Sequence, residues 1–224
     1  VDMMQAVCFD AFGFGNHEFD DGDENLASLV TKLKDSETCP DTAVLAANLV
    51  PGEDSPLLPL TEDGTIQSSV IKMYGDESVG IIGINIRNKT LLSSSPDIGT
   101  NLLDERETAT AEVEALTAQG VNKIVMVTHI GLDFDMDWML NVPGVDVVVG
   151  GDSHTLLGES VVPIFNPVAD YAVPMEGAGG QTVCVVQAWE YANVLGHLKV
   201  SFDEEGNVVG CDGSPKVPFE ITNT

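Results

Sequence analysis

The chain of 224 residues carries a formal net charge of −27, because 36 Asp and Glu residues outnumber 9 Lys and Arg residues. A surplus of this size repels polyanions, which disfavours nucleic acid as a partner, and it concentrates divalent cations near the surface. The composition, 43% hydrophobic and 20% charged, is that of a globular protein with one core. We therefore predict a single domain over residues 1–224, and no apolar run is long enough to span a membrane.

The first half of the chain alternates helix and strand signals, which is typical of an α/β architecture. Acidic residues lead into NLASLVTKLKD, which predicts a helix with carboxylates at its positive end. Residues 43–50, AVLAANLV, predict one buried strand. The runs SVIKMYG and SVGIIGINI flank residues 75–77 and predict a hairpin. Apolar residues at helical spacing, with Gly120 after them, predict a helix over residues 103–119.

The second half contains two continuously apolar runs, NKIVMVTHI and VDVVVGGDSH, which predict strands covered on both faces. Each run ends in a histidine, and reactive side chains in open α/β sheets gather where strands end. We therefore expect the two strands to be adjacent in one sheet. The segments TVCVVQAWEY, LGHLKVSFD and NVVGCDG predict antiparallel strands, with a turn at residues 204–206. DFDMD, at residues 133–137, is interpreted as a solvated acidic turn, because it lacks the glycine and glutamate of a calcium loop.

The four cysteines show no C-x-x-C spacing, so they predict neither a zinc site nor thiol exchange. Cys8 and Cys184 lie in apolar runs and are interpreted as thiols of the core. Cys39 and Cys211 lie in turn-like sequence and could pair only if the fold brings them together. A lone glycosylation sequon at Asn88 favours an extracellular, cell-surface or periplasmic location.

Three of the four histidines stand in glycine-flanked contexts at strand ends, as GNHE, THIG and GGDSHT. A single histidine in such a place is most often structural, and His197, within strand-like sequence, is interpreted in that way. Three histidines beside Asn, Thr or Asp favour metal ligation instead. Neutral imidazole and carboxylate oxygens are the ligands that cations such as Zn²⁺ and Mn²⁺ select.

The ordered set GNHEFD, AAN, THIG, GGDSHT and VVQAWEYANVLG resembles the calcineurin-like metallophosphoesterases, specifically their 5'-nucleotidase branch. The resemblance covers almost the whole chain. It implies a four-layer α/β/β/α sandwich with two divalent metal ions that bind a phosphate ester and activate water for attack on phosphorus. The ions would be Zn, Mn, Mg or Ca, and the substrate a nucleotide or another phosphomonoester.

The same resemblance implies roles for individual residues. The implied metal ligands are Asn16, His129, Asp152 and His154. Asn16 and His129 would share one metal and His154 would bind the other. Asp152 replaces a histidine of the family pattern, and we expect its carboxylate to join the first of these metals.

Three more residues of GNHEFD receive roles from the resemblance. His17 would be the catalytic imidazole that stabilises the transition state or protonates the leaving oxygen. Glu18 and Asp20 would hold the turn in place. The glycines at positions 13 and 15 are expected to let the backbone turn tightly, so that the Asn16 carbonyl oxygen can face a cation.

Two motifs of the family, an Asp-x-His pair and a Gly-Asp, do not precede GNHEFD, and no counterpart of the C-terminal nucleotide-binding domain follows. We therefore expect the sandwich to be N-terminally incomplete, with the missing motifs in a longer native protein. The 224 residues alone are expected to hydrolyse phosphomonoesters poorly or not at all, because they lack the aspartate that bridges the metals in the family. The alternative is a catalytically silent relative with a structural or binding role. The enzyme is favoured, because a truncated sequence explains an absent strand more simply than a domain that evolved without it.

Overall fold

The computed structural model describes residues 1–158 and 166–217, and two sheets packed face to face form its centre. The strands of the larger sheet are, in spatial order, β10 (Val173–Glu176), β11 (Thr182–Gln187), β9 (Val147–Gly150), β8 (Ile124–His129), β6 (Glu77–Asn85) and β5 (Ser69–Tyr74). The four inner strands run parallel, whereas β10 and β5 are antiparallel edges. The carboxyl ends of the inner strands therefore meet at one edge of the sheet.

The smaller sheet has three parallel strands, β1 (Ala11–Gly13), β2 (Ala43–Leu45) and β4 (Ile66–Gln67). Its side chains, among them Leu45, pack against Ile81 and Val127 of the larger sheet. Gly83 allows the two sheets to approach, because a Cβ at that position would lie 2.6 Å from the Leu45 carbonyl oxygen. This contact brings the end of β1 close to the end of β8.

Helices cover the outer faces of both sheets. On the smaller sheet lies α2 (Gly22–Lys34), which buries Val30 and Leu33 there. On the larger sheet lie α5 (Glu105–Ala118) and α6 (Leu132–Asp137), which pack on residues such as Met126. The layers run helix, sheet, sheet, helix, so the predicted α/β/β/α sandwich is confirmed.

The remaining elements are short or lie apart from the two sheets. They are α1 (Asp2–Val7), β3 (Leu49–Val50), α3 (Leu58–Glu62), α4 (Arg87–Ser93), β7 (Asn101–Leu102), 3₁₀-helices at Asn16–Phe19 and Met139–Asn141, and the hairpin β12 (Leu195–Phe202) and β13 (Val208–Lys216). The hairpin packs on the face of the larger sheet that also meets the smaller one. Within residues 1–158 and 166–217, no helix is both long and apolar enough to cross a membrane.

Most predicted elements are confirmed, including α2, the β5–β6 hairpin, α5 and the adjacency of β8 and β9. Residues 43–50 are an exception, since they form β2 and β3 in different sheets rather than one strand. The buried Asn48 lies between them, where its side chain donates to the Asn85 carbonyl and accepts from the Asn85 backbone N–H. These bonds redirect the chain from the smaller sheet toward the end of β6.

Two further predictions in the second half differ from the structure. β11 was expected among antiparallel strands; it pairs antiparallel with β10 but parallel with β9. DFDMD is part of α6 rather than a solvated turn, and Asp135 within it is fully buried. The predicted antiparallel pairing around residues 204–206 holds for β12 and β13.

The cysteine interpretation is also wrong. Cys8 is bonded to Cys39 and Cys184 to Cys211, so neither Cys8 nor Cys184 is a free thiol and Cys39 does not meet Cys211. The second bridge joins β11 to β13 and so ties the hairpin to the larger sheet. Cys184 is fully buried, so its apolar neighbours did indicate the core, but an apolar neighbourhood does not distinguish a thiol from a disulfide there. Cys8 is exposed, so the core interpretation fails for it altogether.

Candidate metal centre

The GNHEFD segment follows β1 and passes directly over the end of β8. A Cβ at Gly15 would lie 2.8 Å from the His129 ring, and one at Gly13 would lie 2.9 Å from a Val127 methyl. Neither glycine has a left-handed φ. Glycine is therefore needed for close approach to β8 rather than for the tight turn expected from the sequence. This approach places the buried Asn16 against His129.

Three atoms that could bind a metal ion lie close together at this point. Asn16 Oδ1 lies 3.2 Å from His129 Nε2, and His129 Nε2 lies 3.5 Å from Asp152 Oδ1. The predicted proximity of Asn16 and His129 is thus confirmed. Ligand atoms bonded at about 2.1 Å to one ion stand about 3.0 to 3.4 Å apart, so the observed spacing suits a shared cation. An amide oxygen, an imidazole nitrogen and a carboxylate oxygen also suit such an ion chemically, so these residues fit a divalent metal.

The environment of His129 favours its neutral form. Burial lowers the pKa of this imidazole, the neighbouring Asp152 carboxylate raises it, and Lys89 lowers it again, with burial the largest of these causes. A neutral imidazole keeps a nitrogen lone pair free for a metal. The lowered pKa of His129 and the spacing of the three side chains therefore both favour metal binding.

Asp152 has a neighbour that the sequence did not predict. Lys89 Nζ, from α4, donates to Asp152 Oδ1, which is the oxygen that faces His129. Among the residues that the structure describes, no group of three or more His, Cys, Asp and Glu side chains gathers in a metal-binding arrangement. The candidate centre is thus built from two such residues, His129 and Asp152, together with the Asn16 amide.

The loop after β9 presents Asp152 and His154 from unusual backbone. Their φ angles are 72° and 52°, in the left-handed region that non-glycine residues rarely adopt. The side chain of Gln187, at the end of β11 and 1% exposed, holds this loop. Its Oε1 accepts from the Thr155 backbone N–H and, at 3.1 Å, from Ser153 Oγ, and its Nε2 donates to the Gly151 carbonyl at 2.9 Å.

The position of His154 differs from that of the three converging residues. His154 Nδ1 lies 3.0 Å from Glu190 Oε2, and the Tyr191 ring meets the imidazole edge-on with centroids 5.8 Å apart. This imidazole is therefore held beside the loop that follows β11, outside the Asn16, His129 and Asp152 group. Its assignment to a second metal stays a prediction.

The exposed His17 stands next to Asn16 on the same 3₁₀-helix. Its Nδ1–H donates to Asp20 Oδ2 at 2.6 Å, and this hydrogen bond is the largest cause of a lowered Asp20 pKa. Glu18 Oε2 accepts from the Gly15 backbone N–H at 2.6 Å. Glu18 thus contacts the turn directly, whereas Asp20 contacts it through the imidazole.

Comparison with known proteins relates the chain to 5'-nucleotidases. No protein-family model matches the chain. A probable 5'-nucleotidase of Treponema pallidum is 37% identical over 99% of the chain and 36% of that relative. The structure of a 5'-nucleotidase precursor from Thermus thermophilus superimposes with a TM-score of 0.86 at 33% identity, over 96% of this chain and 40% of the other. The NAD nucleotidase of Haemophilus influenzae gives the same TM-score and identity over 36% of its length.

The four-layer sandwich and the site at its sheet edge define a metallophosphoesterase fold. Over nearly its whole length, the chain is a homologue of the 5'-nucleotidases, at 33% to 38% identity. It spans little more than a third of the length of the relatives it matches, from 36% to 40% in the three described above.

Two residues of the site were not predicted from the sequence. Lys89 is the middle residue of the sequon, and nothing along the chain indicates that α4 reaches the loop after β9. Gln187 lies in the quoted VVQAWEYANVLG motif but received no role. The sequence does contain a signal for Gln187, which is an amide at the end of an apolar strand. Such an amide is expected to be buried and therefore to require hydrogen-bond partners.

Proposed function

We propose that the chain forms the metal-binding catalytic part of a phosphomonoester hydrolase of 5'-nucleotidase type, with nucleotides as substrates. The observation that carries the proposal is the convergence of Asn16 Oδ1, His129 Nε2 and Asp152 Oδ1 next to the exposed His17. The 5'-nucleotidase and NAD nucleotidase names of the relatives support the substrate class.

The proposed cofactors are two divalent ions, chosen from Zn, Mn, Mg and Ca. Asn16, His129 and Asp152 would hold one ion, and His154 would contribute to the other. Such ions neutralise charge on the phosphoryl oxygens and generate a nucleophile from water at neutral pH. The net charge of −27 favours accumulation of cations around the protein.

The residues of GNHEFD supply the proton chemistry of the proposed reaction. Because His17 Nδ1 is hydrogen-bonded to Asp20, Nε2 is the ring nitrogen that can face the substrate. A protonated His17 can donate from Nε2 to the oxygen of the leaving nucleoside, and the Asp20 carboxylate stabilises the imidazolium before that transfer. Asn16 is fixed by burial, so the adjacent His17 is positioned relative to the metal ligands.

The test is phosphate release from AMP by the purified complete native protein, rather than the 224-residue chain alone, with added Mn²⁺ and after dialysis against EDTA. We expect metal-dependent release, and a loss of about 100-fold or more in the His17→Ala variant with metal binding retained. His197→Ala is the matched control, because His197 is an exposed histidine of β12. Equal release with EDTA, or in His17→Ala, would contradict the proposal.

A catalytically silent subunit is the second candidate function. The contact of the Lys89 ammonium with Asp152 favours it, since a cation already sits on a proposed ligand. A folded, complete native protein that releases no phosphate from AMP with Zn²⁺, Mn²⁺, Mg²⁺ or Ca²⁺ would support this candidate and exclude the hydrolase.

The proposed location is extracellular, cell-surface or periplasmic. Both disulfides of the described residues support it, because structural disulfides form and persist in oxidising compartments.

A further inference from the structure

We propose that Lys89 competes with the divalent cation for Asp152, so that metal affinity at this centre is set by displacement of an ammonium group. The inference rests on the proposed metal centre and adds a residue that controls its loading. Lys89 is one of only 9 basic residues in the chain, and its Nζ lies on a proposed metal ligand.

The competition is for a single oxygen atom. Asp152 Oδ1 lies 3.5 Å from His129 Nε2, and it also accepts the hydrogen bond from Lys89 Nζ. A cation shared by His129 and Asp152 would have to bond the oxygen that the ammonium holds. Because the ammonium and the divalent cation carry like charges, both cannot occupy this oxygen at close range without strong repulsion. Metal binding therefore requires Lys89 to move.

The lysine has room to move. Its side chain is 41% exposed, whereas that of Asp152 is 12% exposed. The aliphatic stem can carry the ammonium into water when a cation takes its place. Asp152 remains held by the Gln187-bound loop. The carboxylate is thus the fixed member of the ion pair and Lys89 the displaceable one.

The pair also accounts for the aspartate at this position. A carboxylate adds one negative charge to a group whose other members, Asn16 and neutral His129, are uncharged. The Lys89 ammonium cancels that charge while no metal is bound, so the centre carries no uncompensated buried charge. The same cancellation lowers the affinity for a cation, because the attractive field of Asp152 is partly neutralised.

Mn²⁺ binding to the 224-residue protein, measured by electron paramagnetic resonance without substrate, tests the inference. Lys89→Met removes the ammonium and keeps an unbranched side chain, so we expect affinity to rise about tenfold or more. Lys89→Arg should stay near the wild type, because it retains the charge. Lys72→Met is the matched control, since Lys72 donates to the Asp41 carbonyl away from the centre.

In an Asp152→Ala background, Lys89→Met should no longer raise the Mn²⁺ affinity, because the carboxylate for which lysine and metal compete is absent. Lys89→Gln provides a second neutral variant. The inference is overturned if Lys89→Met and Lys89→Gln bind Mn²⁺ no more tightly than Lys72→Met, or if none of these proteins binds the ion. Because no substrate is present, failure of phosphate release would leave the result intact.

Discussion

His17 Nδ1 lies 2.6 Å from Asp20 Oδ2, so an exposed imidazole and its acidic partner form one unit within a single turn. The turn itself is fixed by Glu18 at the Gly15 backbone and by Asn85 Nδ2, which donates to the Gly15 carbonyl at 3.1 Å. The imidazole orientation is thus determined by hydrogen bonds of the turn and of Asn85.

The first prediction concerns Asp20. Asp20→Asn removes the carboxylate but keeps the size of the side chain, so the imidazolium form of His17 loses its stabilising charge. We expect kcat for phosphate release from AMP to fall about 10- to 100-fold with Mn²⁺ affinity unchanged. Steady-state kinetics and Mn²⁺ titration measure the two quantities. Asp21→Asn is the control, because Asp21 is the exposed acidic neighbour without a side-chain cap bond. An equal loss in both variants would contradict the role of Asp20.

The second prediction concerns Gln187. Gln187→Met fills the same space without hydrogen bonds, which leaves the Gly151 carbonyl and the Thr155 N–H without this partner. We expect a stability loss of about 1 to 3 kcal/mol and a Mn²⁺ affinity lowered about tenfold or more, because the loop then holds Asp152 less firmly. Urea unfolding and Mn²⁺ titration report these separately.

The control for Gln187 is Gln119→Met, at the exposed end of α5, where the side-chain amide donates to the Ala115 carbonyl one turn earlier. A loss of stability in Gln187→Met with normal metal affinity would mean that the network supports the fold and not the metal ligands.

Local patterns account for much of the fold. Helical spacing predicted α5, β-branched runs predicted β8 and β9, and a glycine-containing turn predicted the β5–β6 hairpin, because each signal lies within one element. The prediction of one strand over residues 43–50 was wrong because the break between β2 and β3 depends on a hydrogen bond from Asn48 to Asn85, 37 positions away. The burial of Asp135 could not be predicted for the same kind of reason. Its acidic sequence neighbours do not indicate the Thr128 hydroxyl that donates a hydrogen bond to it.

The candidate site was only partly predictable. The motif order indicated that Asn16, His129 and Asp152 belong together, and strand ends at a common sheet edge explain why they meet. The ion pair of Lys89 with Asp152 spans 63 positions and the disulfide partners were likewise set by packing. Such contacts depend on how elements are placed in space, which residue periodicity does not encode.

The third prediction concerns the pH dependence of stability through Asp135. Burial raises the pKa of this carboxyl from an ordinary 3.8 to about 7, with the Thr128 hydrogen bond opposing the shift. Between these values the folded protein holds a proton that the unfolded chain releases, so stability falls as pH rises through this window. Asp135→Asn removes the titration. We expect it to gain about 2 to 3 kcal/mol relative to the wild type between pH 5 and pH 8.

Urea unfolding without added metal at both pH values measures this difference. Asp133→Asn is the control, because Asp133 is an exposed acid of the same helix. If Asp135→Asn and the wild type lose stability in parallel, Asp135 does not titrate in this window.

The last prediction concerns the donor atom at position 152. Asp152→His replaces an anionic oxygen with a neutral nitrogen, and nitrogen donors favour Zn²⁺ relative to Mn²⁺. The substitution also takes away the partner of Lys89, so the ammonium is no longer drawn to this position. We expect the ratio of Zn²⁺ to Mn²⁺ affinity to rise about tenfold or more, as measured by competition dialysis. Asp133→His introduces a histidine on the surface and controls for added imidazole. Asp152→Ala should weaken binding of both ions about tenfold or more, because the loop then offers no donor at this position. An unchanged affinity ratio in Asp152→His, together with unchanged binding in Asp152→Ala, would show that position 152 does not contact the cation.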